Sequence, residues 1–265
     1  MMGILKQIRR RTNSVKIRNY QNQIMKAVRN PSIGLSYIKY RLHYVRIMMK
    51  EDDPTSLAFY RELQNRKVQE DEAYPRGYGI GQAQIDFLIR QGLAHEDRLL
   101  DIGCGDLRGG TYMVEHLDTG NYTGIDISEE AIKQGWQNVR KKGLMEKKPV
   151  LLVNNDLKFN EFEDEAFDWV FANSVLTHLP KEQITECFSN VGSILAPGGT
   201  ACLSFNHHEE SERKYTNSIS WSNLYRYPFE ELQALGEEYD LSIEHDPYNE
   251  HPDDRMQMLV ISSYN

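Results

Sequence analysis

From about residue 98 onward, apolar positions come in short runs separated by stretches of helical spacing. "RLLDIG" (98–103), "YTGIDIS" (122–128), "PVLLVNND" (149–156), "FDWVFANSVL" (167–176), "TACLSF" (200–205), "LSIEHD" (241–246) and "QMLVISS" (257–263) read as strands. Between them, Thr111–Leu117 predicts a helix, as does "EEAIKQGWQNVRKKG", where Ile132, Trp136 and Val139 recur at helical spacing. "KEQITECFSNVGSILA" (181–196) predicts another. Strands apolar along most of their length, alternating with helices, imply a mainly parallel sheet covered on both faces. No clear helix separates the last two strands, so an antiparallel terminal hairpin is expected.

The first 70 residues follow a different pattern. In "IGLSYIKYRLHYVRIMMK" (33–50), Leu35, Ile38, Leu42, Val45 and Met49 form one helical stripe, Lys39, His43, Arg46 and Lys50 another, and Tyr37, Tyr40 and Tyr44 flank the apolar side. A basic helical extension (1–70) ahead of an α/β domain (71–265) is the expected organisation. Charge sharpens the division: residues 1–50 hold twelve of the 31 basic residues and no acid, leaving 19 basic against 39 acidic residues beyond. A basic amphipathic helix with interfacial aromatics suits a membrane surface. The same stripe suits helix packing on the domain or on a second copy, making an oligomer. The acidic remainder disfavours a nucleic-acid groove.

Composition excludes other classes. The three cysteines, 104, 187 and 202, stand far apart, which argues against a disulfide framework and a cysteine-rich zinc site. There is no HxxxH or HxH spacing with supporting carboxylates, so no metal is expected. No run reaches membrane-spanning length and no signal peptide opens the chain, so the expected location is the cytoplasm, with peripheral contact at the inner face of the cell membrane as the extension's membrane reading.

In open α/β sheets ligands bind beyond the carboxyl ends of the strands. There the first strand runs into Asp101, then Gly103, Gly105, Gly109 and Gly110. A dinucleotide loop, and with it a nicotinamide dehydrogenase, would need a third glycine where Arg108 stands. S-adenosylmethionine carries a sulfonium and no phosphate, so it tolerates Asp101 and Asp106 where a pyrophosphate would be repelled. Asp126 follows Gly105 by roughly twenty residues, the spacing of an acid that grips ribose hydroxyls. Asp156 adds an acceptor for an exocyclic amine. Each of the two acids alone reads equally as a turn or cap residue.

"LLDIGCGDLRGG", "YTGIDIS", "NNDL", "FDWVFANSVLTHLP" and "LAPGG" together resemble the class I S-adenosylmethionine-dependent methyltransferases, over about residues 75–265. The loop is similar to a subset with "LRGG" in place of the commoner ending. The resemblance implies a Rossmann-like, seven-stranded, mostly parallel sheet with an antiparallel last strand, and S-adenosyl-L-methionine as cofactor. It implies Asp101, Gly103, Cys104 and Gly105 along the methionine part, Asp126 on the ribose with Ile127 among the binding residues, Asp156 and Leu157 beside adenine, and Asn173 near the methyl group. The chain is also similar to methyltransferases of cell-surface glycans, including formers of uronic-acid methyl esters.

On the acceptor side, His178 lies after the fourth strand, where a base would work; packing at a helix start is its other reading. His207 and His208 follow the fifth strand, with His207 a second catalytic candidate and a solvated loop the alternative. Arg108 either braces the loop or faces a substrate carboxylate. The stretch 206–232 is long for a connection and carries Tyr225 and Tyr227, readable as a substrate-facing lid or as packing. The expected function is methyl transfer to an oxygen, hydroxyl or carboxylate, of a small-molecule or lipid-linked sugar, without nucleic acid. The alternatives are a small-molecule or lipid O-methyltransferase that dimerises through the extension, and a catalytically inactive cofactor-binding partner subunit.

Overall fold

The structure is a computed structural model that describes residue 47 and residues 56–69, 80–210, 212–215, 223–246 and 256–263. The membrane and packing readings of 33–50 therefore lie outside the described residues, except at Ile47, which is helical and buried.

Seven strands form one sheet: β1 (Leu99–Ile102), β2 (Tyr122–Asp126), β3 (Val150–Val153), β4 (Phe167–Ala172), β5 (Leu195–Asn206), β8 (Leu241–Asp246) and β9 (Met256–Ser263). Their order is β3-β2-β1-β4-β5-β9-β8. The pairs from β3 through β5 are parallel, and β9 is antiparallel to both β5 and β8. This is the Rossmann-like sheet with an antiparallel last strand. A second, two-stranded sheet pairs β6 (Glu212–Tyr215) with β7 (Asn223–Arg226) inside the stretch read as a lid.

Alternation along the strands supplies two cores. On one face Leu100, Ile102, Val170, Ala172, Leu203 and Ile261 pack with α5 (Lys181–Ile194) and α6 (Phe229–Glu237) through residues such as Phe188, Val191 and Leu232. On the other, Leu99, Trp169, Phe171, Cys202 and Met258 meet α2 (Ile80–Gln91), α3 (Gly110–His116) and α4 (Glu129–Lys141) through Leu88, Met113 and Val139. All three cysteines are buried and free, consistent with apolar packing.

Several boundaries differ from the sequence expectation. The fourth strand ends at Ala172 rather than running to 176, because Ser174 turns into the left-handed region (φ +62°) and its N–H donates to Ser204 Oγ at 2.6 Å. The fifth strand begins at Leu195, straight out of α5, with an irregular register between Phe167 and Trp169. The helix α1 (Leu57–Gln69) lies within the stretch expected to be helical, whereas α2 and α6 were not legible in the strand-and-helix pattern.

Ser204 is fully buried and holds a non-glycine residue at positive φ, so its hydroxyl has no substitute. Ser204→Ala leaves the half-buried Ser174 N–H without this bond and is expected to cost about 0.5–1.5 kcal/mol. Urea denaturation followed by circular dichroism reads this as a lower midpoint with unchanged slope.

Candidate functional site

The turn after β1 is built to leave backbone pointing outward. Gly103 and Cys104 both donate their N–H groups to the Ile125 carbonyl (2.8 and 3.0 Å), which ties the turn to β2. Gly103 has φ +71°, and a Cβ there would meet Val175 Cγ2 at 2.5 Å, so glycine is required on both counts. Gly105 has φ +58° and nothing within 4 Å of where a Cβ would stand, leaving open space over the turn. Arg108 Nε lies 3.1 Å from Asp106 Oδ1, the bracing geometry.

Asp126 closes this half of the site. Its Oδ2 accepts from Gly105 N at 2.9 Å and its Oδ1 from Ser128 N at 2.8 Å. Burial pushes its carboxyl up to about 6, while those two N–H bonds pull the other way. Asp101 is buried and accepts from the Tyr122 hydroxyl at 2.7 Å. Burial pushes Asp101 up to about 7, opposed by that hydrogen bond and aided by the Asp126 charge nearby. Burial, with the Asp101 and Asp126 charges nearby, likewise pushes the Cys104 thiol well up, which favours its protonated form. Two enclosed carboxyls form a site that gains when a cation or a pair of hydroxyl donors arrives.

Beyond β3, Asp156 Oδ1 accepts from Lys158 N at 3.0 Å, the local turn expected of such an acid. Leu157 is a core residue beneath it, and Ile127 is half-buried beside Asp126. After β4, Asn173 is half-buried, and its Oδ1 is buried with no hydrogen-bond partner. The following short 3-10 turn, Leu176–His178, presents His178, whose ring lies 5.3 Å from that of Tyr60. After β5, His207 Nδ1 is also buried and unpartnered. His208 is tied into its own loop, with Nδ1 2.9 Å from the Glu210 carbonyl. Tyr227 is buried and donates its hydroxyl to the Leu179 carbonyl at 2.9 Å, with Tyr225 stacked on it at 6.5 Å.

Sequence reasoning placed 57–69 within a helical extension (1–70) but did not foresee that α1 reaches three of these loops. Arg61 donates to Asn155 Oδ1 at 3.0 Å, Asn65 Oδ1 accepts from Ser128 Oγ at 2.7 Å, and Tyr60 lies against His178. The signal available was Ser56 capping a helix (Phe59 N to Ser56 Oγ, 3.1 Å) whose Phe59 and Leu63 lie one turn apart and are buried.

The residues fit S-adenosylmethionine. Enclosed acids suit its cationic end and its ribose, the open space over Gly105 admits close approach, and the bare Asn173 oxygen suits an ammonium or hydroxyl donor. Among the described residues no cluster of side chains fits a metal ion.

Comparison with known proteins agrees with this geometry. Residues 100–201 match a family described as a methyltransferase domain. An uncharacterised protein of Haemophilus influenzae is 31% identical over 120 residues, 45% of this chain and 47% of that one. A sterol 24-C-methyltransferase of Schizosaccharomyces pombe is 29% identical over 110 residues, 42% of this chain and 28% of that enzyme. The chain thus spans half or less of the length of these relatives. Among solved structures, an S-adenosylmethionine-dependent methyltransferase from Clostridium acetobutylicum superposes with a TM-score of 0.56 at 13% identity, covering 78% of this chain and 99% of that one. Residues 100–201 thus resemble a methyltransferase domain, and the seven-stranded sheet has the fold of the solved enzyme.

The raised carboxyls set a pH signature. The carboxyls titrate near 3.8 when unperturbed and at about 7 and 6 when folded, so the native state holds protons the unfolded state has lost. Their contribution to stability is complete below 3.8 and is lost as pH climbs through 6 and 7. Differential scanning calorimetry of the ligand-free protein should show Tm falling from pH 5 to pH 8, and Asp101→Asn should flatten that slope. Binding of the cofactor analogue sinefungin should run the other way, tightening as Asp126 ionises through pH 6. Asp126→Ala should weaken it more than tenfold, from lost charge-assisted bonds of about 1.5–3 kcal/mol. Unchanged affinity would remove the ribose role.

Proposed function

We propose that this methyltransferase domain moves a methyl group to an oxygen of a sugar acceptor, in a lipid-linked or cell-surface glycan. The observation that carries the reading is the division of the sheet's carboxyl edge. Enclosed acids and an open glycine turn gather at β1 and β2, whereas an unpartnered buried histidine nitrogen stands at the tip of β5. The first half is suited to hold the cofactor, and the second receives what the cofactor acts on.

The cofactor supplies an electrophilic methyl group. The protein's task is to hold the acceptor oxygen in line with that group and to remove its proton. His207 Nδ1 is the candidate base: a buried nitrogen without a partner is free to take the proton of an acceptor hydroxyl. His178, set on the 3-10 turn after β4 and flanked by Tyr60, is the second candidate. Asn173 is placed after the same strand to orient the reacting groups through its open Oδ1.

The basic stripe of 33–50 supports the lipid-linked part of the reading. Each Lys or Arg near an anionic leaflet contributes about 1 kcal/mol, so Lys39, Arg46 and Lys50 together would hold the protein where such an acceptor is displayed. Among the described residues no helix is long and apolar enough to cross a membrane.

The test is methyl transfer from radiolabelled S-adenosylmethionine to membrane and soluble fractions of cells lacking the protein. Label in the lipid-extractable fraction, sensitive to glycosidase treatment, is the expected outcome. Label confined to soluble metabolites would overturn the lipid-linked acceptor. His207→Ala should lower turnover at least a hundredfold with sinefungin affinity intact, in line with the usual contribution of a general base, about 10²–10⁴-fold. Turnover within twofold of the parent would transfer the role to His178.

A further inference from the structure

The acceptor half of the edge holds a second polar group that the reaction scheme leaves unused. In the β5–β9 ladder Phe205 stands opposite Gln257, and in the β8–β9 ladder His245 stands opposite Leu259. Side chains alternate along a strand and match across a pair, so Phe205, Gln257 and His245 share one face. That face also carries His207, whose ring meets Phe205 at 6.1 Å and stacks against His245 at 6.4 Å. Phe229, the first residue of α6, closes the group with its ring 5.2 Å from His245.

On this face two polar atoms are buried with no hydrogen-bond partner, His207 Nδ1 in the ring cluster and Gln257 Oε1 on the residue opposite Phe205. Buried polar atoms are nearly always paired, and two bare ones on the same sheet face mark where a ligand's groups belong. The chemistry of the pair is one-sided. An amide oxygen only accepts, and imidazole Nδ1 accepts when the ring proton sits on Nε2. With the ring proton on Nε2, the tautomer that the base role of His207 requires, a matching ligand donates to both atoms. In that state a carboxylate set on these two atoms meets lone pairs with lone pairs, whereas a hydroxyl set there donates, and the sugar ring brings a C–H face that lies against aromatic rings.

We propose that His207 and Gln257 form a subsite for a neutral polyol ring, which makes the methyl acceptor a sugar hydroxyl and not a uronic-acid carboxylate, with Gln257 as its specificity-determining residue. The proposal rests on the methyltransferase reading above and narrows its substrate class. His245 and Phe229 serve as the stacking wall, and neither exchanges a proton with the ligand.

The experiment uses the full chain saturated with sinefungin at pH 8. Saturation-transfer NMR is then run with three probes: D-galactose, L-rhamnose and D-glucuronate. Transfer to the two neutral sugars and none to glucuronate is expected. Gln257→Leu should weaken the neutral sugars at least tenfold with sinefungin binding unchanged. Gln257→Glu keeps acceptor oxygens at the position; it should retain the neutral sugars and still reject glucuronate, which guards against a folding defect in the leucine variant. Glucuronate binding as well as galactose, no transfer to any sugar, or full neutral-sugar binding by Gln257→Leu would each overturn the subsite. A chain that fails to bind sinefungin would instead overturn the methyltransferase reading itself.

Discussion

The site hangs on one carboxylate. Asp126 spans the gap between the glycine turn after β1 and the start of α4, accepting one N–H from each. Both donors belong to backbone that no regular element would otherwise hold. With the acid the turn gains a third tie to β2, at Gly105, beyond those of Gly103 and Cys104 to the Ile125 carbonyl, and the entry to α4 gains a bond at Ser128 N. Ser128 then carries the connection outward: its hydroxyl caps α4 through Ala131 N–H and donates to Asn65 on α1. A single charged group thereby organises a turn, a helix start and a covering helix.

Enclosing that charge is costly, and the cost has a use. Burial has moved both Asp101 and Asp126 toward neutral pH, with the Asp126 charge adding to the push on Asp101 and the Asp106 charge to that on Asp126. An apo protein that dislikes its own carboxylates is one that a cationic, hydroxyl-rich ligand stabilises. Tyr122 limits the penalty at Asp101 by donating its hydroxyl, and that hydroxyl in turn explains Gly110, where any side chain would collide with it. The acceptor half differs in kind. Among the described residues it shows a bare histidine nitrogen beside the Phe205 ring and a bare amide oxygen on the strand paired with Phe205.

Much of the fold could be read from the chain because parallel strands buried on both faces announce themselves as short apolar runs, and α4 and α5 as helical periodicities. The turn with Gly103 and Gly105 was legible because positive φ needs glycine, and Asp126 because its distance from that turn is set by one helix and one strand. His207 could be named as a candidate, yet nothing local separated it from His208; only the fold buries one ring nitrogen and leaves the other residue bonded within its loop. Tyr225 and Tyr227 looked equally suited to a ligand, and tertiary packing turned both inward.

What the sequence determined by itself is whatever depends on neighbours in the chain: strand and helix identity, the glycine turn and the acid after the second strand. What tertiary structure alone decided is whatever depends on strand order. Because β9 inserts between β5 and β8, Gln257 and His245 come to stand beside His207, residues up to fifty positions apart. Because α1 lies across the loops after β2, β3 and β4, Tyr60, Arg61 and Asn65 join a site that no nearby motif foretold. Periodicity reports which face of an element is apolar; it carries no information about which element that face will meet.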